Sequence, residues 1–492
     1  MNLMANHSAA RSFSWMMIRC TIAGILVVGS VASIPANADE LRFGAAVADV
    51  TPTDFPVSSN GSMRPRFAER SHDPLQVRAM VWSSGNRTVA LAVVDACMIP
   101  REVFLPACQV VSDRTGIPID AQLIAATHTH SAVTLNAAFQ SEAVEDYLPR
   151  LRDGIVQAIV SAHKNLRPAS IAWGVAYAPD HVYNRRWFLR PGTNIVDPLG
   201  QGTDRVKMNP PPGHPTLLEP SGPVDPRMTL MVARDSQNED KPIGLLANYA
   251  LHYVGGVPNT DLSADYFGAF AEAVKRRVAK DSDAFVAAMT NGTSGNINNI
   301  NFFERRGDER PYENIRVVSE DLAEKATEAM QRVQPSGDSS IAFAVREVTV
   351  GVRKPTPPEV IAAKERLNGK PRPLQDITDI YASETIDLAD YPDHVTLRLH
   401  AFRIGDAAIV SSPCETFVET GLAVTRDSPF HPTIVVELAG GYHGYLPTPR
   451  HHDLGGYETW RAKSSYLAVD AEPKIRQAMM RLLGELDQRR SE

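Results

Sequence analysis

Short apolar runs that break off into glycine, asparagine or histidine recur along this chain, and segments with helical spacing follow them. The runs include "TVALAVVDACMI", "DAQLIAATHTH", "IGLLANYALHY", "AFVAAMTNG", "AAIVSSPCETF" and "TIVVELAGGYHGY". Each core of four to eight apolar residues reads as a strand covered on both faces. The spacing in "EDYLPRLRDGIVQAIVSAHKNL", "DYFGAFAEAVKRRVAK", "VSEDLAEKATEAMQRV" and "AEPKIRQAMMRLLGELD" reads as amphipathic helix. Alternation of the two predicts an α/β domain, a mixed β-sheet core flanked by helices. Reactive groups are then expected just beyond the strand ends.

The first 38 residues follow another pattern. Arg11 and Arg19 precede an apolar segment from Thr21 to Ile34, and small residues stand at Ala36 and Ala38. This is the layout of a secretory signal cleaved after Ala38, and the segment is short for a membrane anchor. Residues 1–38 are therefore expected to be a signal peptide and 39–492 the mature domain, periplasmic or secreted. Cleavage removes Cys20 and leaves Cys97, Cys108 and Cys414. An oxidising compartment permits a Cys97–Cys108 bridge, but three cysteines cannot frame a domain this large, and they read as core or loop residues. A net charge of -7 without a long basic cluster excludes nucleic acid and an anionic membrane as the main partner. Two stretches interrupt the alternation, the Pro/Gly-rich 190–226 and the proline-bearing 354–394, and both are expected to be surface excursions.

Several strand-end or loop stretches deliver groups suited to metal binding or proton transfer. "ATHTH" carries His128 and His130, "NYALHY" His252, "SSPCETF" Glu415, "GYHGYLPTP" Tyr442, His443 and Tyr445, and "YNRRW" Arg185 and Arg186. In an extended chain His128 and His130 face the same side. Catalytic zinc takes three protein ligands of the His and carboxylate type and keeps a position open. Two histidines and a glutamate from separate strand ends meet that requirement, although His252 alone reads equally as a hydrogen-bonded core histidine. Asp95, ending "ALAVVDA", has two readings: orienting a zinc histidine from behind, or capping a strand-end turn. His443, His451 and His452 are expected to rim the cleft.

Taken in order through most of residues 42–484, these stretches resemble the catalytic domain of the neutral, alkaline, non-lysosomal ceramidase family. The resemblance implies that His128 of "AATHTHS" binds zinc while His130 contacts substrate. It implies that His252 of "NYALH", Glu415 of "PCETF" and Tyr445 of "GYLPTP" complete the zinc ligands, and that Tyr457 of "GYE" and Arg185 of "YNRRW" are catalytic. Two departures accompany it. The family has a serine in "G-D-x-S-P-N", whereas aligning the glycines of "NGTSGNINNIN" leaves Asn298 in that place; only a shifted register brings Ser294 there. The chain also ends 35 residues after Tyr457, which leaves no room for the family's C-terminal immunoglobulin-like domain.

These residues support a definite expectation. One zinc per chain lowers the pKa of its water to about 7 and polarises a carbonyl oxygen, so a serine is not required. Tyr457, His130 and Arg185 stabilise the oxyanion, and His130 protonates the leaving amine. The stretch 291–301 is expected to line the site and offer its amides as oxyanion donors. The expected substrate is a small molecule or lipid with an amide bond, an N-acyl sphingoid first, with at most peripheral membrane contact. The alternatives are an amidase or esterase for a more polar substrate, and a non-catalytic binding protein. Oligomeric state is left open.

Overall fold

A computed structural model describes residues 40–489 apart from positions 196, 201, 281, 283, 306 and 308. The expected signal peptide thus lies outside the described residues. From Asp39 onward the chain forms one unit, and no described helix is long and apolar enough to cross a membrane.

Eight strands make the main sheet: β1 (Arg42–Asp49), β2 (Gln76–Ser84), β3 (Arg87–Val94), β4 (Gln122–Ala126), β5 (Arg167–Tyr177), β6 (Arg227–Asp235), β7 (Asn238–Tyr249) and β8 (Val286–Asn291). Their spatial order is β8-β7-β6-β5-β1-β2-β3-β4. The outermost pairs, β7 with β8 and β3 with β4, are parallel, and the inner pairs are antiparallel. A second sheet runs β9 (Ile341–Gly351), β10 (His394–Ile404), β11 (Ala407–Ser411) and β12 (Thr433–Val436), again with a parallel outer pair. The mixed sheet expected from the alternation is therefore present. Within these parallel pairs β4, β8, β11 and β12 are buried along their whole length, which is why these strands read as unbroken apolar runs.

Helices cover the sheets. α1 (Arg101–Thr115) packs on α2 (Leu148–Lys164), which lies on β1 and β2; α3 (Asp265–Val278) and α4 (Glu313–Met330) cover the other half. α1 stops at Gly116, whose left-handed backbone (φ 75°) lets its N–H return to the Ser112 carbonyl. The excursion 354–394 is more ordered than expected. A capping box of Thr356 and Glu359 starts α5 (Pro357–Leu367), Asp376 caps α6 (Ile377–Ala389), and the two helices pack together. Tyr381 of α6 is buried against Phe139 and Trp460. The excursion 190–226 likewise pairs short strands, 206–208 and 217–220, with 186–189. Two further helices, α7 (Val418–Asp427) and α8 (Ala471–Gln488), back the second sheet.

The chain after β12 joins the edges of the main sheet. The Glu437 N–H donates to the Asn291 carbonyl at the end of β8, and the Ala126 N–H at the end of β4 donates to the Leu438 carbonyl. Strands far apart in sheet order thereby bring their ends to one place. Cys97, Cys108 and Cys414 are all buried free thiols, as core residues rather than a bridge.

Candidate functional site

His128 does not continue β4. Its φ of 73° turns the backbone into the left-handed region, an uncommon and costly conformation for a side chain of this size. That turn brings His128 and His130 together with their rings nearly perpendicular (88°) and their Nε2 atoms 3.2 Å apart. Across the sheet, His252 Nε2 lies 3.0 Å from His128 Nε2. Glu415 Oε2 lies 3.3 Å from His128 Nε2 and 3.9 Å from His252 Nε2. His128, His252 and Glu415 are all buried.

Proton positions follow from the partners of the other ring nitrogens. His128 Nδ1 lies 2.6 Å from the Cys97 carbonyl, His130 Nδ1 3.2 Å from the Gly61 carbonyl, and His252 Nδ1 3.3 Å from the Ser294 carbonyl. A carbonyl oxygen only accepts, so each Nδ1 carries a proton, and in the neutral rings of His130 and His252 Nε2 presents a lone pair. Burial, with the positive charge of the neighbouring His128, holds His130 and His252 well below the usual histidine pKa, and hence neutral. Against its own burial, His128 and Arg185 hold the Glu415 carboxyl below the ordinary carboxylate range. Glu415 Oε1 accepts from the Tyr442 hydroxyl at 3.0 Å, while its buried Oε2 has no hydrogen-bond donor among the described residues.

Against its burial, the neighbouring Cys97 and Glu415 raise the His128 pKa well above its usual value, so in the absence of a metal a proton stands where a cation would; a metal ion that displaces it meets both Nε2 atoms and Glu415 Oε2. Two ligands bonded at ~2.0–2.1 Å to one tetrahedral ion stand ~3.3 Å apart, which matches the observed spacings. The residues therefore fit a metal ion. A second grouping, Cys97 with His128 and His130, also lies within reach of a metal. Its thiol, however, faces His128 Nδ1, the nitrogen already committed to a carbonyl.

A cavity of about 200 Å³ opens on these groups and is also lined by Arg185, Tyr445, Tyr457, Tyr253 and Asn209. Arg185 Nη2 donates to the Tyr445 hydroxyl oxygen at 3.1 Å and to the Gly295 carbonyl, and its Nε donates to Glu458 Oε1 at 2.9 Å. The Tyr253 ring stacks on His130 at 3.8 Å. Gly61 takes a left-handed φ of 88°, and a Cβ there would strike the His130 ring, so only glycine lets this carbonyl reach the imidazole.

Residues 42–309, more than half of the chain, match the family model described as neutral/alkaline non-lysosomal ceramidase, N-terminal. The chain belongs to this ceramidase family. Two curated relatives from Dictyostelium discoideum are similar over part of it: neutral ceramidase B, 31% identical over 145 residues, and neutral ceramidase A, 32% identical over 140. Each alignment covers 26% of this chain and spans a fifth of the relative's own length. The structure of neutral ceramidase from Pseudomonas aeruginosa superposes with a TM-score of 0.70 at 20% identity, covering 92% of this chain and 75% of that one. A ceramidase complexed with C2 superposes equally well at 19% identity. These likenesses establish the ceramidase catalytic fold.

The ceramidase family match ends before Glu415, Tyr442, Tyr445 and Tyr457, so it is the folded geometry that joins them to the histidines. It also corrects several expectations. Asp95 touches no histidine: its oxygens take the Arg78 guanidinium at 2.9 Å and the Gln76 N–H. The carbonyl of Cys97 orients His128 instead. The stretch 291–301 does not line the cavity. Asn298 donates to Asn209 Oδ1 at 2.9 Å, supporting a wall residue rather than facing substrate. Ser294 lies behind His252, with its Oγ 3.3 Å from Nδ1, and donates to Glu437 Oε1 at 2.6 Å. Gly295 explains the close fit, since a Cβ there would lie 2.5 Å from the Glu415 carbonyl oxygen. His443, His451 and His452 are likewise absent from the cavity wall. His443 bonds the Tyr466 hydroxyl, and buried His451 faces Glu419.

Two carboxylates escaped the sequence reading. Glu437, fully buried with its pKa pushed up to about 8 by burial, accepts from Ser294 Oγ and from the Thr416 N–H. It thereby braces the backs of both His252 and Glu415. Its signal was a lone charge directly after "TIVV". Glu458 bonds Arg185 and Arg186 together, and stands in "GYETW" beside Tyr457.

Proposed function

We propose that the protein is a zinc-dependent hydrolase of amide bonds, with N-acyl sphingoids as the leading substrate class. The observation that carries this reading is the convergence of His128 Nε2, His252 Nε2 and Glu415 Oε2, three buried atoms of metal-ligand type 3.0 to 3.9 Å from one another, at one wall of a cavity. Zinc bound there supplies a Lewis acid for the amide carbonyl and makes water acidic enough to attack at neutral pH. The family membership and the neutral ceramidase relatives support the amide bond as the target.

The chain's own residues take the remaining roles. His130, whose Nδ1–H is spent on the Gly61 carbonyl, turns its Nε2 toward the metal ligands, 3.2 Å from His128 Nε2, where it accepts a proton and returns it to the leaving nitrogen. Tyr253 holds that ring in plane by stacking. Arg185, kept charged by Glu458, orients the Tyr445 hydroxyl, and the Tyr457 hydroxyl faces the same space. Such preset donors stabilise a developing oxyanion by several kcal/mol. Ser294 is given no covalent role, because its hydroxyl is turned toward Glu437 behind the site. The leader read in the sequence places the mature enzyme in a periplasm or outside the cell, which amino-terminal sequencing of the exported protein tests.

The cavity's modest size, about 200 Å³, favours a second reading within the same chemistry: an amidase or esterase for a more compact, polar substrate. Metal content of wild type, His252→Ala and Glu415→Ala, measured by mass spectrometry beside hydrolysis of a fluorescent N-acyl sphingosine, separates the cases. One zinc per chain, lost in both variants with amide cleavage, upholds the first reading. Zinc without ceramide cleavage upholds the second, and absence of zinc overturns both.

A further inference from the structure

We infer that the substrate of this site carries an anionic group, of the carboxylate or phosphate type, that docks on Arg101 in a second cavity beside the metal cavity. The inference rests on the reading of the site as an acyl hydrolase and narrows its substrate class. The second cavity, about 320 Å³, shares Ala138, Phe139, Tyr442 and Ser464 with the first. Tyr442, whose hydroxyl bonds Glu415, is thus common to the lining of both, and the two cavities adjoin. One molecule can therefore present an acyl group to the metal ligands and another group to the second cavity.

The lining of the second cavity has donors without acceptors. Arg101, half-buried at the start of α1, makes no hydrogen bond or ion pair among the described residues. The acids that act on it from a distance, Asp120 and Glu347, are both bound by Arg398. Tyr391 and Ser464 contribute hydroxyls with no partner among the described residues, whereas the buried Asn136 amide oxygen there is an acceptor that lacks a donor. Lys463, by contrast, is answered by Asp387 and Glu384. The single carboxylate on the wall, Glu102, is exposed. Proteins pair their sheltered polar groups, and a guanidinium's planar fork of donors matches the two oxygens of a carboxylate or phosphate. A half-buried guanidinium left open beside a reactive cavity is complementary to an anion that the substrate brings. A neutral two-chain amide leaves that charge unanswered, so the inference deepens the second reading above, the compact, polar substrate, rather than the N-acyl sphingoid.

The test uses the full mature chain loaded with zinc and two matched substrates, N-octanoylglycine and N-octanoylglycinamide, followed by octanoate release on wild type, Arg101→Gln and Arg101→Lys. Wild type is expected to favour the carboxylate by at least about ten-fold in kcat/KM, and Arg101→Gln to bring the ratio close to one. Arg101→Lys keeps the charge and part of the preference, which separates lost charge from a disturbed helix start. A ratio that Arg101→Gln leaves unchanged, or a wild type that prefers the carboxamide, overturns the inference. If neither amide is cleaved, the hydrolase reading fails for them, and calorimetry with N-octanoylglycine and with inorganic phosphate decides the site separately. Binding of N-octanoylglycine that weakens at least about ten-fold in Arg101→Gln upholds it. Binding of phosphate alone makes this a free-anion site and overturns the substrate assignment, as does binding of neither.

Discussion

The two cavities that share Tyr442 are opposites. On one side, His128, His252 and Glu415 turn two ring nitrogens and a carboxylate oxygen toward one point, a set of metal-ligand type; on the other, Arg101, Tyr391 and Ser464 present donors that no acceptor meets among the described residues. Arg185 shows that the fold can satisfy an arginine when it needs to, since Glu458, Gly295 and Tyr445 take its donors. The contrast teaches that unmatched polar groups have a sign. A surplus of lone pairs calls for a cation, and a surplus of N–H and O–H groups calls for an anion.

The comparison breaks most directly at Glu415. Glu415→Gln replaces a lone-pair oxygen with an amide, and should empty the site after dialysis and lower turnover by on the order of 10³-fold; metal analysis and kinetics check both. A Glu437→Gln variant should weaken zinc by roughly 10- to 100-fold without touching the metal, because Glu437 acts through Ser294 and Thr416. Chelator competition reads this, and Ser294→Ala in the same background should add little, since one relay is already broken. Arg101→Gln should shift the anionic-to-neutral substrate ratio by about ten-fold while retaining zinc, which is what separates the second cavity from the first. The smallest effect on metal is expected at Asp95. Asp95→Asn should leave zinc affinity within about three-fold, yet lower the melting temperature, because it strips the buried Arg78 of its partner. Burial, outweighing Arg78, raises the Asp95 carboxyl from 3.8 to about 6. Wild-type stability should therefore fall, relative to Asp95→Asn, as pH rises from about 4 to about 6, because the folded state holds that proton longer than the unfolded chain. Denaturant titrations across that window check the sign.

Much of this was legible in the chain alone. The unbroken runs at β4, β8, β11 and β12 announce buried parallel strands, because a strand covered on both faces has no polar side to alternate. The groups that follow β4, β7 and β11, namely His128, His252 and Glu415, could be named for a related reason: a polar residue shortly after a buried run stands at a strand end. What the chain concealed is mostly a matter of direction. His128 leaves the strand through a left-handed turn that no local pattern announces. Asp95 and Asn298 sit at suitable places in the sequence, yet point toward Arg78 and Asn209. Glu437 was hidden because a lone acid after "TIVV" has no meaning until β12 is found between the edges of the main sheet.

Local sequence alone determined which stretches become strands and helices and which chemical groups stand at their ends, since backbone preference and the periodicity of burial act over neighbouring residues. Only the tertiary structure decided which of those groups meet. His128 and His252 are separated by 124 residues. Their contact, the orphaned oxygen of Glu415 and the unanswered guanidinium of Arg101 exist only once distant strands are packed and every other polar group in reach has found its partner.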